Sequence, residues 1–497
     1  MTRVGRLKLN TISSFVLELT TVICGFVLPR LILGAFGSET NGLVNSITQF
    51  LAIISFLELG VGAVVQSSLY KPLANSDFTT ISQIVVSANK FYKNIAKALV
   101  VYVLLLVGLF PFINQGDYSF LFTAALIVAI SISFFSQYYF GVVDRLLLTS
   151  DQKGYVQYNA QTVTLVINTI ACFFLIKAGA TIQTVKLTTS IIFLFRPLYL
   201  RYYVDKHYLI NRKITYEKEP ISQKWNGIAQ HIAAVVLNNT DTIVLTLFSS
   251  FSNVSIYSVY YLVVSGVKQL FTSLTSGIQA LLGELWAKKE VDTLNTTFSW
   301  TEWTLHSGGV LLFGCTASLI VPFVRIYTFG INDANYIVPL FALLITIANG
   351  LHCLRLPYNI LILAVGHYKQ TQSNYIIAAI LNILVSIIGV KHYGLIGVAI
   401  GTLVAMGWQT LWMAWYDSKN ILNRSYLVFI KQLFVDVLVF FTSFSICQFI
   451  LDSAVGDYLH WLFLALETML IWIVVSFLVN LVFYYKHIKS LLCRKKR

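Results

Sequence analysis

The chain is a succession of apolar runs, and this feature decides what it can fold into. Fourteen mostly apolar segments follow one another, at 12–35, 42–66, 95–113, 119–141, 156–176, 183–203, 226–248, 253–277, 302–324, 337–361, 374–390, 393–416, 428–450 and 460–485. A helix needs about 20 such residues to cross a bilayer. The chain is 57% hydrophobic and 11% charged, against about 45–50% and about 25% in soluble domains. So few charges cannot cover a water-facing surface. A soluble enzyme, a nucleic-acid-binding domain, a disordered chain and a secreted disulfide scaffold are excluded. The expectation is an all-α polytopic membrane protein with about 14 transmembrane helices.

The net charge of +14 reports topology, with no nucleic acid as partner. With the N-terminus inside, 27 of the 35 basic residues, Arg145 among them, fall on inner segments, 5, Lys186 among them, on outer ends and 3 within spans. This is the bias of the positive-inside rule, and it places both termini in the cytoplasm. The first run carries Glu18 and is too long for a signal-peptide core, so it reads as a spanning helix. The six cysteines are scattered without CxxC spacing, so neither metal nor disulfide is expected. The longest connection, about 203–225, is cytoplasmic and polar. It sets the expected organisation: a six-helix lobe at 1–210, a linker at 211–225, a second six-helix lobe at 226–418, and an extra helix pair with a basic tail at 419–497. The lobes read as pseudo-symmetric. LILGAF (31–36) and TIVLTL (242–247) close equivalent spans, and SDQKG (150–154) and GHYKQ (366–370) fill equivalent inner loops. Polar amphipathic stretches at 69–93 and 283–295 read as interfacial segments.

Charges inside spans are costly and so point to function. Lys268 lies near the middle of the eighth span, too deep to snorkel easily; it lines a polar cavity or forms a buried pair. Arg355 stands before Pro357, which frees backbone carbonyls; it faces a cavity or bonds those carbonyls. Arg196, near the inner end of the sixth span, reads as snorkelling. Arg30 and Asp241 occupy matching slots in the two lobes and are expected to pair as a gate, unless Arg30 snorkels outward. Glu58 reads as a cavity acid, a proton or cation site, or the partner of a nearby base. Glu18, Asp436 and Glu467 are weaker candidates that read equally as helix-pairing residues, and Glu302 lies near the end of a span. Gly394, Gly397 and Gly401 recur at helix spacing and predict close helix packing. The eight histidines form no HExxH, and no Walker A loop is present, so neither a metal nor ATP is implied.

Two stretches carry a family resemblance: PRLILGAFGSETNGLVNSITQFLAIISFLELGVGAVVQSSLYKPLANSD and LRLPYNILILAVGHYKQTQSNYIIAAILNILVSIIGVKHYGLIGVAIGTLVA. They resemble the polysaccharide transporter branch of the multidrug/oligosaccharidyl-lipid/polysaccharide (MOP) superfamily, the Wzx-type flippases, and the 6+6+2 layout is similar. The resemblance implies a non-enzymatic flippase of the bacterial cytoplasmic membrane. Its substrate would be an undecaprenyl-diphosphate-linked oligosaccharide, moved by alternating access for capsular, exopolysaccharide or O-antigen-type assembly. It implies no cofactor, drive from an ion gradient or membrane potential, and glycan polymerase and other assembly proteins as partners. By the same resemblance the diphosphate falls to basic cavity residues, here Lys268, Arg30 and Arg355. Glu58, Gln269 and Gln279, with Tyr257, Tyr260 and Tyr261, would serve the glycan. The competing expectations are a cation-coupled multidrug antiporter of the same superfamily, which needs an acid-lined cavity, and a membrane glycan polymerase or ligase, which needs a large catalytic loop. A non-transporting scaffold fits poorly with charge at mid-membrane.

Overall fold

The computed structural model describes residues 3–58, 61–113, 118–217, 219–221, 228–273, 275, 277–451, 455–485, 487 and 489. Asp117, Lys224, Lys486 and the basic tail from Arg494 onward lie outside the described residues. Among the described residues the regular structure is helical throughout. Chain contacts divide it into two compact units, Met1–Val235 and Val236–Arg497.

The first unit holds α1 (Arg3–Ala52), α2 (Val61–Ala74), α3 (Phe78–Ile113), α4 (Phe120–Ser136), α5 (Val142–Ser150), α6 (Gly154–Lys177) and α7 (Ile182–His207). The start of α8 (Ile228–Phe248) also belongs to it. α1 contains the first expected span and the start of the second. They part at Gly37, whose φ of 79° and ψ of 175° lie outside helical geometry; glycine adopts such a φ at no steric cost. The second span then runs through a 3₁₀ turn, Ile53–Glu58, into α2. The amphipathic stretch 69–93 is divided between the end of α2 and the start of α3. Asp77 starts α3 by accepting from the Thr80 amide at 3.0 Å and from the Thr80 hydroxyl at 2.6 Å. Those bonds hold its carboxyl below the usual range.

The second unit continues with α9 (Phe251–Ser273), α10 (Ile278–Ala287), α11 (Val291–Tyr327), α12 (Pro339–Leu354), α13 (Leu356–Val365), α14 (Tyr368–Tyr393), α15 (Leu395–Asn420), α16 (Leu427–Ile450) and α17 (Tyr458–Phe483). α16 and α17 pack on each other and on α11. Trp472, fully buried, fills the notch at Gly314, where a Cβ would lie 2.0 Å from the indole. α14 and α15 form the tightest hairpin, with Gly389 and Gly397 backbone to backbone, as the glycine spacing predicts.

Among the described residues, eleven helical stretches are long and apolar enough to cross a membrane. One of them, Gly5–Glu58, covers the first span and most of the second. α7, which carries Lys186, Arg196 and Arg201, and α8 supply the remaining expected spans. The chain is thus a multi-pass membrane protein of about 14 transmembrane helices.

The connection after α7 does not hang free over its described residues. Asn211 donates its amide to Ser82 Oγ at 3.0 Å. Arg212 bridges Asp144 at 3.0 Å and Asp205 at 2.7 Å, and Ser87 bonds Glu219. Tyr208 donates to Asp151 at 2.6 Å, and burial together with that bond pushes its phenol well above the usual range. These contacts dock the segment onto the first unit.

Candidate functional site

Within the first unit, a helical irregularity opens the site. α4 passes into α5 through one π turn, Gln137–Gly141; a wider turn of this kind re-aims the side chains around it. Opposite stands Pro197 on α7, so close that a Cβ on Gly141 would lie 2.7 Å from it. Around this contact lies a cavity of about 380 Å³, walled by parts of α1, α4, α5, α6 and α7. Its size is in the range of small-molecule sites.

Three cations line it: Arg145, Lys186 and Arg196, together with Gln137, Gln157 and Gln161. Arg196 donates from Nε to Thr164 Oγ1 at 2.5 Å, its guanidinium lies 3.7 Å from the Phe193 ring centre, and its buried Nη2 has no hydrogen-bond partner among the described residues. Arg145 lies 3.6 Å from Glu58, which also accepts from Tyr138 at 3.4 Å. The α7 residues Lys186, Thr189, Ser190, Phe193, Arg196, Pro197 and Leu200 form one stripe along the wall. From Lys186 to Leu200 that stripe rises about 21 Å at 1.5 Å per residue.

A second space, about 680 Å³, shares Ala160 and Arg196 with the first. It lies between α6 and α7 and is largely apolar, with Val163, Ile167, Ile192, Phe195 and Leu198 in its wall. Arg196 therefore stands where a polar cavity meets an apolar groove. Sequence reasoning missed this cluster because it placed Lys186 with the outer-end cations and Arg145 with the inner ones. The α7 stripe, at intervals of three and four residues, was the available signal.

The second unit gathers other expected residues. Asp241 is buried and accepts from Thr402 at 2.7 Å, Tyr257 at 3.0 Å and Asn382 at 3.4 Å. Lys268 lies 5.6 Å from the Tyr261 ring centre, and Tyr261 stacks on Tyr257. Lys268 is within electrostatic range of both Asp241 and His352. Arg355, 6% exposed, bonds His352 Nδ1 through Nη2 at 3.0 Å, while its Nε and Nη1 have no partner among the described residues. Lys268 and Arg355 thus share one neighbourhood around His352. Gln269 is exposed. Tyr260 is fully buried and gives its hydroxyl to the Tyr336 carbonyl at 2.7 Å, which removes it from the residues offered to a glycan. Arg30 lies in the first unit, with Nη1 at 3.1 Å from where a Gly34 Cβ would stand.

No protein-family model matches the chain, and no curated protein matches it in sequence. Solved structures do match. Lipid II flippase MurJ, in an inward closed conformation, superposes with a TM-score of 0.69 at 16% identity, over 97% of this chain and 99% of its own. The chain shares the fold of this solved transporter. A multidrug resistance MATE family transporter of the MOP superfamily, inward-facing, gives 0.61 at 13% identity, over 82% of this chain and 98% of its own. A MOP superfamily transporter from Pyrococcus furiosus, described as having a binding pocket of reverse polarity, gives 0.57 at 14% identity over 84% and 97%. The two shorter neighbours are matched almost end to end, yet leave part of this chain without a counterpart.

Proposed function

We propose that the chain is a flippase for polyprenyl-diphosphate-linked oligosaccharides, working across the bacterial cytoplasmic membrane with both termini inside, in capsular, exopolysaccharide or O-antigen-type assembly. The observation that carries this reading is the cationic cavity of the first unit joined at Arg196 to an apolar groove. A diphosphate needs charge-assisted donors in a site of low dielectric, and Arg145, Lys186 and Arg196 are donors without acceptor capacity. Gln137, Gln157 and Gln161 can both donate to and accept from sugar hydroxyls. The polyprenyl chain can stay in apolar surroundings along the α6–α7 groove while only the head group is transferred. Lys186, Arg196 and Arg145 stand at successive depths along the helix axes, so the head group passes from one cation to the next without being left unpaired at mid-membrane.

A cation-coupled multidrug antiporter would call for an acid-lined cavity. The acid nearest this one, Glu58, is engaged by Arg145 and Tyr138. Reconstitution into liposomes separates the readings. A short-chain polyprenyl-diphosphate disaccharide with a fluorescent sugar is expected to become reachable from the opposite leaflet, while a fluorescent organic cation is not driven by a proton or sodium gradient. Gradient-driven cation transport without lipid movement would replace the flippase reading with the antiporter.

A further inference from the structure

The second unit buries a chain of titratable groups that neither the diphosphate reading nor the fold requires. Glu302 and His306 stand one turn apart on α11; Tyr358 comes from α13, and Asp436 and Gln432 from α16. His306 is 0% exposed, Glu302 3% and Asp436 5%. The contacts run in series. Tyr358 Oη lies 2.6 Å from Glu302 Oε1 and 3.1 Å from His306 Nε2, and His306 Nδ1 lies 2.6 Å from Asp436 Oδ2. The ends are closed: Arg424, in the α15–α16 connection, donates to Glu302 at 2.5 Å, and Gln432 donates to Asp436 Oδ1 at 3.0 Å.

A proton count follows. Three hydrogen bonds, Glu302–Tyr358, Tyr358–His306 and His306–Asp436, need three protons. With both carboxylates ionised and the imidazole neutral, the phenol and the ring supply two. The third must come from solvent, and this holds whichever group carries it. It can make His306 an imidazolium, or sit on Asp436 or Glu302 with the other bonds reversed.

We propose that Glu302, Tyr358, His306 and Asp436 together form a binding site for one transferable proton, which ties α16 to α11 and α13. The proton can shift among the four groups by reversal of the three bonds, each group accepting on one side as it releases on the other, and no bond other than O–H or N–H changes. Arg424 marks the end nearest the connecting loop. Asp436 lies nine residues into α16, about 14 Å along the helix. The neighbours that face the chain are Asp417 on α15, which is buried and interacts with Arg424 and Glu302, and Tyr484 just past α17, which interacts with Glu302 and Asp436. On the other packed helices the charges are engaged elsewhere: Lys268 at Tyr261, Glu284 with Lys288, and Arg355 with His352. The site does not rest on what the first unit carries.

The test uses the full-length protein in lipid nanodiscs, with ¹⁵N-histidine NMR and infrared difference spectroscopy across a pH series. His306→Gln assigns the ring signals; Glu302→Gln, Asp436→Asn and Asp417→Asn assign carboxyl bands. The expected result is one excess proton at neutral pH. It shows either as a doubly protonated His306 ring or as a carboxylic acid band lost in Glu302→Gln or Asp436→Asn, and it leaves in a single one-proton step as pH rises. Glu302→Gln removes one of the groups that share the proton and should move the pH at which it leaves away from that of the wild type. A His306 ring that stays neutral throughout, with no acid band assignable to Glu302 or Asp436, overturns the proposal. A band lost only in Asp417→Asn also counts against it. The wild-type spectra decide the matter even if Asp436→Asn does not fold.

Discussion

Replacing Gly397 by alanine tests how the second unit is held together. A Cβ there would lie 2.0 Å from the Gly389 carbonyl carbon, 2.1 Å from its oxygen and 2.6 Å from the Val390 nitrogen. Carbon atoms rest at about 3.5–4.0 Å, so α14 and α15 would have to part by roughly 1.5 Å at this level. The obstacle is backbone, which has no rotamer to turn away. Overpacking costs about 1–3 kcal/mol, and an unyielding neighbour puts this site toward the upper end. At about 1.4 kcal/mol per factor of ten, the unfolding equilibrium shifts by roughly 5- to 150-fold. The same separation would loosen the bond of 3.1 Å from Asn382 on α14 to Thr402 on α15, and with it two of the donors to Asp241. Unfolding in mixed detergent, followed by tryptophan fluorescence, reads the effect. Gly266→Ala is the control: a Cβ there meets nothing within 4 Å, and alanine is worth about 0.5–1 kcal/mol over glycine in a helix. Wild-type stability of Gly397→Ala, within about 0.5 kcal/mol, would refute the backbone contact, since that is the scatter of an ordinary surface substitution.

Gly314→Ala should weaken the attachment of α17, because its Cβ would meet the Trp472 ring at 2.0–2.6 Å. Trp472→Ala in the same chain should recover part of the loss, and additive losses in a double-mutant cycle would exclude the contact. Arg212→Ala should leave Asp144, a buried carboxylate on α5, without its ion pair and free the 208–217 segment. Limited proteolysis should then cut there faster; unchanged cleavage would mean that the docking does not depend on Arg212. For topology, a cysteine at Asp117 is expected to react with an impermeant maleimide added from outside intact cells, and labelling only after permeabilisation would invert the orientation.

Much of the architecture is legible in the sequence because a bilayer imposes a length on every apolar run. The 394–401 glycines announced the α14–α15 contact for a similar reason, since only small residues let two helix backbones touch. The kink at Gly37 was not legible: LILGAFGSETNG reads as an ordinary turn, while the structure carries helix on both sides of a single glycine. The cavity escaped because counting charges along the membrane normal gives their depth and not the direction they face. Lys186 and Arg196 differ in depth and share a side of α7. The proton chain escaped because its partners are brought together by tertiary packing alone. His306 and Asp436 are 130 positions apart, and His306 and Tyr358 are 52 apart. No local pattern marks such a chain: Asp436 reads from sequence as a helix-pairing residue, and Glu302 as an acid near the end of a span.

The central claim is that the cations of the first unit hold a diphosphate, and Arg196 is the residue to question. The measurement is binding and flipping of the short-chain polyprenyl-diphosphate disaccharide by wild type, Arg196→Ala, Arg196→Lys and Lys186→Ala in the same liposomes. A hydrogen bond to a charged group is worth about 1.5–3 kcal/mol. Losing Arg196 should therefore weaken binding about 10- to 150-fold and slow flipping, with Lys186→Ala following in kind. Arg196→Lys, which keeps the charge and loses the forked donors, should fall between. Binding and flipping at wild-type levels in a stably folded Arg196→Ala, Lys186→Ala double variant would contradict the account.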